Sequence, residues 1–209
     1  RGVFATQDIP AGEKIIQVPA HDIVNVYTIL RDTHFEPFRP VARALLQAGQ
    51  HHDTVLLVYI AMQKRLHEAC KQRGAVNELE TNSPMGFLCN SVGLTEDSFT
   101  TLCALPFEVV HALGDPKLVE KVKENVNILW QTLKAIRPIL DEHKEACPVK
   151  IDYNDLMFAK NVCDTRGFTV SWPAPCDMDL ADLDVTKNIP DKITCIAPVA
   201  DFLNHHPRA

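Results

Sequence analysis

Segments typical of β-strands lie at both ends of this chain, and a long helical block separates them. Residues 3–6 and 14–18 are short and rich in β-forming side chains, and residues 168–172 and 193–199 have the same character. A two-stranded ribbon at either end would be only marginally stable by itself. The strands of the two ends are therefore predicted to pair with each other, which requires the ends of the chain to lie close together in space.

The central part of the chain predicts three helices with recognisable first and last residues. Asp53 can cap the first helix, which extends to about residue 73 and is stopped by Gly74. Asp115 can cap the second, whose apolar residues recur in steps of three and four as far as Pro138, where a kink or an end is expected. Asp152 can cap the third, which extends to about residue 164. Helices inserted between paired strands predict an α+β fold.

Composition limits the classes of function. The 209 residues are 46% apolar and carry a net charge of -6, whereas nucleic-acid-binding domains normally present a basic face. We therefore predict no direct nucleic acid binding. The longest apolar run, residues 55–62, falls short of the roughly 20 residues that a membrane span needs, so no membrane partner is predicted. Seven cysteines without C-x-x-C spacing are typical of reduced thiols. They favour an intracellular location, cytoplasmic or nuclear, and a plastid is also compatible.

The sharpest polar motif lies near the end of the chain, where Asp201, Asn204 and His205 follow an apolar run. An asparagine amide offers one acceptor and two donors, and the neighbouring peptide groups offer more at fixed spacing. This segment can therefore hold a small polar ligand against the backbone. The alternative is a turn formed by Asp201, with Asn204 and His205 on the surface.

Two other positions are candidates for ligand contact. Arg166 lies between a predicted helix and a predicted strand, and its permanent, forked charge suits a carboxylate. It can equally neutralise Asp164 or bind the last carbonyls of the helix. Gly2 would let a ligand approach the backbone closely, or it marks a bend in the chain.

Metal binding and thiol catalysis are not predicted. The pairs His51–His52 and His205–His206 each lack a third ligand at suitable spacing. No nucleophile signature surrounds any of the cysteines, which argues against a thiol protease.

In their order along the chain, these motifs resemble the SET-domain protein methyltransferases. More narrowly, they resemble the group with an interrupted SET domain typified by the Rubisco large-subunit lysine methyltransferase. Residues 1–13 are similar to the first motif of that family, R-G-x-x-A-x-x-D-I-x-x-G-E, with Val18-Pro19 after it. The Thr165-Arg166 pair looks like the step before the second half of the SET domain. Residues 198–205 are similar to the P-x-x-D-x-x-N-H motif.

The resemblance implies S-adenosylmethionine as the cofactor and divides the chain into three parts. Residues 1–40 would be the N-terminal part of a β-rich SET domain, residues 41–160 a helical insertion, and residues 161–209 an incomplete C-terminal part. Carried over by position, the cofactor-binding residues would be Arg1, Gly2, Arg166, Asp201, Asn204 and His205. Arg166 would face the methionyl carboxylate, Asn204 the rest of the methionyl group, and the His205 main chain the adenine.

The implied activity is methylation of a protein substrate, with a lysine side chain as the expected acceptor. Histidine methylation is one alternative, and a catalytically inactive SET-like protein that serves as a binding module is another. The active-site tyrosine of the family lies in a later G-E-x-x-x-x-Y-G motif that these 209 residues do not contain. We therefore nominate no catalytic residue and expect this piece by itself to be inactive.

Overall fold

A computed structural model describes residues 6–31, 33–74, 99, 101–172, 184, 186–187 and 189–197. Within them the chain forms six α-helices, two short 3₁₀ helices and two β-strands, which confirms the predicted α+β class. The 3₁₀ helices are Ala20–Asp22 and Thr33–Phe38. The α-helices are α1 (Val26–Arg31), α2 (Arg39–Gln47), α3 (His52–Gln72), α4 (Phe107–Ala112), α5 (Pro116–Glu142) and α6 (Tyr153–Arg166); the strands are β1 (Gly167–Ser171) and β2 (Lys192–Ile196).

The three long helices begin and end close to where their capping residues predict. In α5 the Asp115 carboxylate accepts hydrogen bonds from the backbone N–H groups of Lys117 and Leu118. In α6, Asp152 and Asp155 form a capping box, each side chain accepting from the backbone N–H of the other. These bonds satisfy donors that the first helical turn otherwise leaves unpaired.

Two details of the helix predictions are wrong. The N-cap of α3 is His51, whose side chain accepts from the Asp53 N–H, so the helix begins earlier than predicted. Of the kink or end expected at Pro138, the end does not occur, because α5 continues to Glu142. A proline removes one hydrogen bond from the helix ladder, but the helix continues past it, and Ile136, two residues before Pro138, is completely buried.

The predicted strand at residues 14–18 is absent, since no regular structure is assigned there. A strand requires a hydrogen-bonded neighbour, and no segment that the structure describes supplies one. Residues 3–5 lie outside the described part of the chain. The region from residue 20 to residue 47 is instead largely helical, which the sequence did not predict, and α2 spans the expected division at residue 40.

The strands β1 and β2 pair in antiparallel orientation, with Gly167 opposite Ile196 and Ser171 opposite Lys192. They correspond to the predicted strands at residues 168–172 and 193–199. Helix α3 lies at the centre of the core: residues 54–62 are buried all around the helix, as expected for one that is covered on every side. It packs against α1, α2, α6 and β2, so the core joins the sheet to the helical block.

Candidate functional site

Three segments of the chain meet at Ile196, the last residue of β2. On one side, Val24 and Ile196 exchange two backbone hydrogen bonds, each with an N···O distance of 2.9 Å. On the other side, Gly167 is the antiparallel partner of Ile196. The side chain of Ile196 is completely buried. An N-terminal segment, the end of α6 and the strand that leads to the predicted C-terminal motif are thus joined at one point, which we call the Ile196 junction.

Gly167 allows α6 to turn directly into β1. A Cβ atom at this position would clash with the backbone carbonyl oxygen of Cys163 and would lie 3.1 Å from the Cγ2 atom of Thr194. The backbone φ angle of Gly167 is -78°, so the glycine is required by lack of space rather than by an unusual conformation. The close approach fixes the end of α6 against β2.

Arg166 is the one predicted cofactor-binding residue within the described part of the chain. It is the last residue of α6, is half-buried, and directly precedes Gly167 of the junction. A cation in the last helical turn interacts favourably with the helix dipole. The neighbouring Asp164 carboxylate pairs with the Nζ atom of Lys160. The other predicted residues, Arg1, Gly2, Asp201, Asn204 and His205, lie outside the described residues.

The N-terminal side of the junction is held by Asn25 and Thr28. The Asn25 side-chain oxygen accepts from the backbone N–H groups of Tyr27 and Thr28, at 2.9 and 3.0 Å. The Thr28 hydroxyl accepts from the Asn25 N–H at 2.9 Å and lies 2.8 Å from the Ile23 carbonyl oxygen, to which it can donate. Both side chains are buried. The start of α1 is therefore tied to the residues that pair with β2.

Two thiols near the junction are poor nucleophiles. Burial raises the pKa of Cys195 to about 11. Burial also raises the pKa of Cys163, and the negative charges of Asp53 and Asp164 add to the effect. Since the thiolate is the reactive form, both thiols are protonated at neutral pH. This agrees with the sequence argument against a thiol protease.

An ionic network between α3 and α6 was not predicted from the sequence. The Lys64 Nζ atom lies 3.1 Å from Asp155 Oδ1, and the Arg65 Nε atom lies 2.8 Å from Asp155 Oδ2. A second guanidinium nitrogen of Arg65 lies 2.6 Å from Asp152 Oδ2, and Glu68 approaches both cations. Asp155 is completely buried and Lys64 is 8% exposed. The network fixes α6, and with it Arg166, against α3; a Lys-Arg pair directly after an apolar run was the available signal.

All three tyrosines are used in packing. Tyr59 lies in the core with its ring centroid 5.1 Å from that of Phe35, and Tyr27 is 4% exposed. Tyr153 stacks on Trp130, with ring centroids 4.6 Å apart. Burial raises the pKa of Tyr27 and of Tyr153, which keeps both phenols protonated. The structure thus gives no reason to assign a catalytic role to any of them.

No helix in the described ranges has the length and apolar character needed to cross a membrane. No protein-family profile matches the sequence, and comparisons with curated proteins and with solved structures likewise found no match.

Proposed function

We propose that the chain is part of an S-adenosylmethionine-dependent protein N-methyltransferase of the SET type, with lysine as its acceptor. The observation that carries the proposal is the Ile196 junction, because it joins segments from the two ends of the chain across the helical block. An interrupted β domain requires such pairing. The motifs at residues 1–13 and 198–205 supply the resemblance, and the junction supplies a reason for them to share one site.

The position of Arg166 supports the proposal. It directly precedes the residue that pairs with Ile196, and five residues after Ile196 the chain reaches Asp201. An extended chain advances at most about 3.6 Å per residue, so Asp201 begins within about 18 Å of the junction. A half-buried guanidinium beside the junction, in a chain whose Asp-x-x-Asn-His motif follows β2 by a few residues, suits a cofactor that carries a carboxylate.

The protein's part in the reaction would be to bind and orient rather than to form covalent bonds. S-adenosylmethionine, when bound, supplies a methyl group already activated by its sulfonium. Arg166 would hold the carboxylate, and Asn204 and the His205 backbone would fix the methionyl and adenine groups. The acceptor amine must be neutral to attack the methyl carbon, and a site that excludes water favours its neutral form. Alignment of the two groups then supplies most of the rate.

Calorimetric titration of the full-length protein with S-adenosylmethionine tests the proposal directly. We expect saturable heat and an increase in melting temperature for the wild-type protein. Replacement of Asn204 by Ala should weaken binding by about 1.5–3 kcal/mol, the range for loss of a hydrogen bond to a charged group. The variant Asn127→Ala changes a solvent-exposed amide on α5 and serves as the matched control, with unchanged affinity.

Absence of heat and of thermal stabilisation at millimolar cofactor would defeat the enzyme hypothesis and favour the binding-module alternative. If the cofactor binds, incubation with labelled S-adenosylmethionine and a protein mixture, followed by mass spectrometry, identifies the modified side chain. Label on lysine supports the proposed acceptor. Label on histidine instead overturns that part of the proposal.

A further inference from the structure

Three consecutive side chains with metal-ligating atoms converge at the start of α3. The His51 Nδ1 atom lies 3.5 Å from Asp53 Oδ2, and the His52 Nε2 atom lies 3.5 Å from Asp53 Oδ1. Each of the three residues offers a ligand atom within 4.8 Å of those of the other two. The sequence argument found no third ligand for the His51–His52 pair, and Asp53 is such a ligand.

These separations are close to those of a coordination shell. Bonds of about 2.0–2.2 Å from a zinc-like ion to nitrogen and oxygen place neighbouring ligand atoms about 3.0 Å apart at right angles and about 3.4 Å apart in a tetrahedron. The two histidine-to-aspartate distances end on different oxygens of Asp53, and both are near these values, so a carboxylate that binds the ion through both oxygens fits with little movement. The ligand nitrogens of the two imidazoles, which lie within 4.8 Å of each other, must approach by at most about 1.8 Å to reach these separations, and their ring centroids are 4.1 Å apart.

The three side chains differ in how freely they can rotate, which would allow the exposed ones to close around an ion. His52 is 9% exposed and held by packing, whereas His51 and Asp53 are 66% and 40% exposed and can rotate. The capping bond from the Asp53 N–H to His51 Nδ1 is long, at 3.3 Å, so the metal would replace a weak interaction. The helix dipole opposes a cation at this end, and the Asp53 carboxylate offsets that effect.

We propose that His51, His52 and Asp53 form a binding site for a divalent transition-metal ion of the zinc, cobalt and nickel class. Two neutral imidazoles and one carboxylate are the ligand set that these ions accept. Water would complete the coordination. Because α3 contacts both α6 and β2, a bound ion would stabilise the first turn of the helix on which the core is built. This site does not depend on the proposed methyl transfer.

Titration of the full chain with Co²⁺, followed by its visible d–d absorption, tests the site. We expect a saturable spectrum without the thiolate-to-metal charge-transfer band that cysteine ligands would produce. The variant His51→Asn keeps a good N-cap residue and removes one ligand, while Asp53→Asn removes the carboxylate. Each should weaken Co²⁺ binding at least about tenfold, because even mutation of residues that only hydrogen-bond to a metal ligand lowers metal affinity by about that factor. The metal-free variants should retain the wild-type circular dichroism spectrum.

The matched control is the double variant His205→Asn/His206→Asn, which removes the other histidine pair and should bind Co²⁺ like the wild type. Loss of binding in this control together with normal binding by His51→Asn would place the site at the other pair and overturn the proposal. A charge-transfer band, or no saturation at millimolar Co²⁺, would overturn it as well.

Discussion

The Nζ atom of Lys64 lies 3.1 Å from the Oδ1 atom of Asp155, in the interior between α3 and α6. Asp155 has no exposure to solvent, and its other oxygen accepts from Arg65 Nε and from the Asp152 N–H. One carboxylate therefore caps α6 and also joins it to α3. Removal of one member of such a buried ion pair is costly, because the other charge is then left buried without compensation.

Replacement of Asp155 by Ala is expected to lower the free energy of unfolding by about 3–5 kcal/mol, the range for removal of one member of a buried ion pair. The variant leaves the buried Lys64 ammonium without its interior counter-ion and removes the half of the α6 capping box that Asp155 provides. Asp155→Asn keeps an acceptor for the Asp152 N–H and should lose less. Urea denaturation measures both values.

The exposed pair Lys121–Glu124 provides the control, since Glu124→Ala should leave the urea midpoint unchanged. An Asp155→Ala midpoint equal to that of this control would contradict the prediction.

Replacement of Gly167 by Ala is expected to destabilise the protein by about 1–3 kcal/mol, the usual cost of overpacking. The added methyl group meets the Cys163 carbonyl oxygen, which belongs to the backbone of α6 and cannot move aside alone. Thermal denaturation measures the loss.

Gly12→Asn is the comparison, because Gly12 has a φ angle of 85° and nothing within 4 Å of an added Cβ. Asparagine tolerates that conformation, so a melting temperature near that of the wild type is expected there. Equal effects of the two substitutions would show that the junction is not tightly packed.

Local sequence signals predicted the long helices. The features that the sequence did not predict depend on contacts between residues far apart in the chain. Asp115, Asp152 and Gly74 act on backbone groups within a few residues, so their effect can be inferred without knowing the fold. The partner of Lys64 lies in another helix, and no local pattern specifies it. The Ile196 junction lies between these cases. Strands of the two ends were predicted to pair, but within the described residues β1 and β2 pair with each other, and only a single bridge from Val24, outside the predicted strands, joins the N-terminal side to β2.

The wrong strand at residues 14–18 has a similar cause. β-forming side chains show that a segment can join a sheet, but the strand exists only where another segment supplies hydrogen bonds. The helical region from residue 20 to residue 47 was missed because Pro37 and Pro40 interrupt its pattern. In the structure Pro40 lies in the first turn of α2, where a proline is tolerated. Of the candidate site, the sequence could nominate Arg166, while the buried network that holds α6 in place required the structure.

The Arg65–Asp152 pair should make stability depend on acid pH. Burial by itself would raise the pKa of Asp152, but the Asp155 backbone hydrogen bond and the charge of Arg65 together lower it below the usual 3.8. A carboxyl group whose pKa is lower in the folded state binds more protons when unfolded. Its contribution is therefore complete above about pH 5, begins to fall near the unfolded pKa of about 4, and is lost as the pH falls through the folded pKa.

The variant Asp152→Asn keeps a capping side chain but cannot ionise. We expect its deficit in unfolding free energy relative to the wild type to be constant from pH 7 to about pH 5 and to shrink below about pH 4. Urea denaturation across this range measures the deficit. Because the Asp152 side chain is 45% exposed, solvent screens the pair and the effect should be modest. A deficit that grows on acidification would contradict the assigned direction of the pKa shift.

Arg166 provides the test that separates a structural from a cofactor-binding role at the junction. If its guanidinium binds the carboxylate of S-adenosylmethionine, Arg166→Leu should weaken cofactor binding by about 1.5–3 kcal/mol, the range for a hydrogen bond to a charged group. Arg166→Lys keeps the charge but loses the forked geometry, so its affinity should lie between those of the wild type and the leucine variant. Lys160→Leu, which removes a cation from the same helix, should leave the affinity unchanged while it frees Asp164. Calorimetry gives the affinities, and melting temperatures without cofactor report the folding of each variant. A leucine variant that melts earlier but binds the cofactor as tightly as the wild type would show that Arg166 supports only the end of α6.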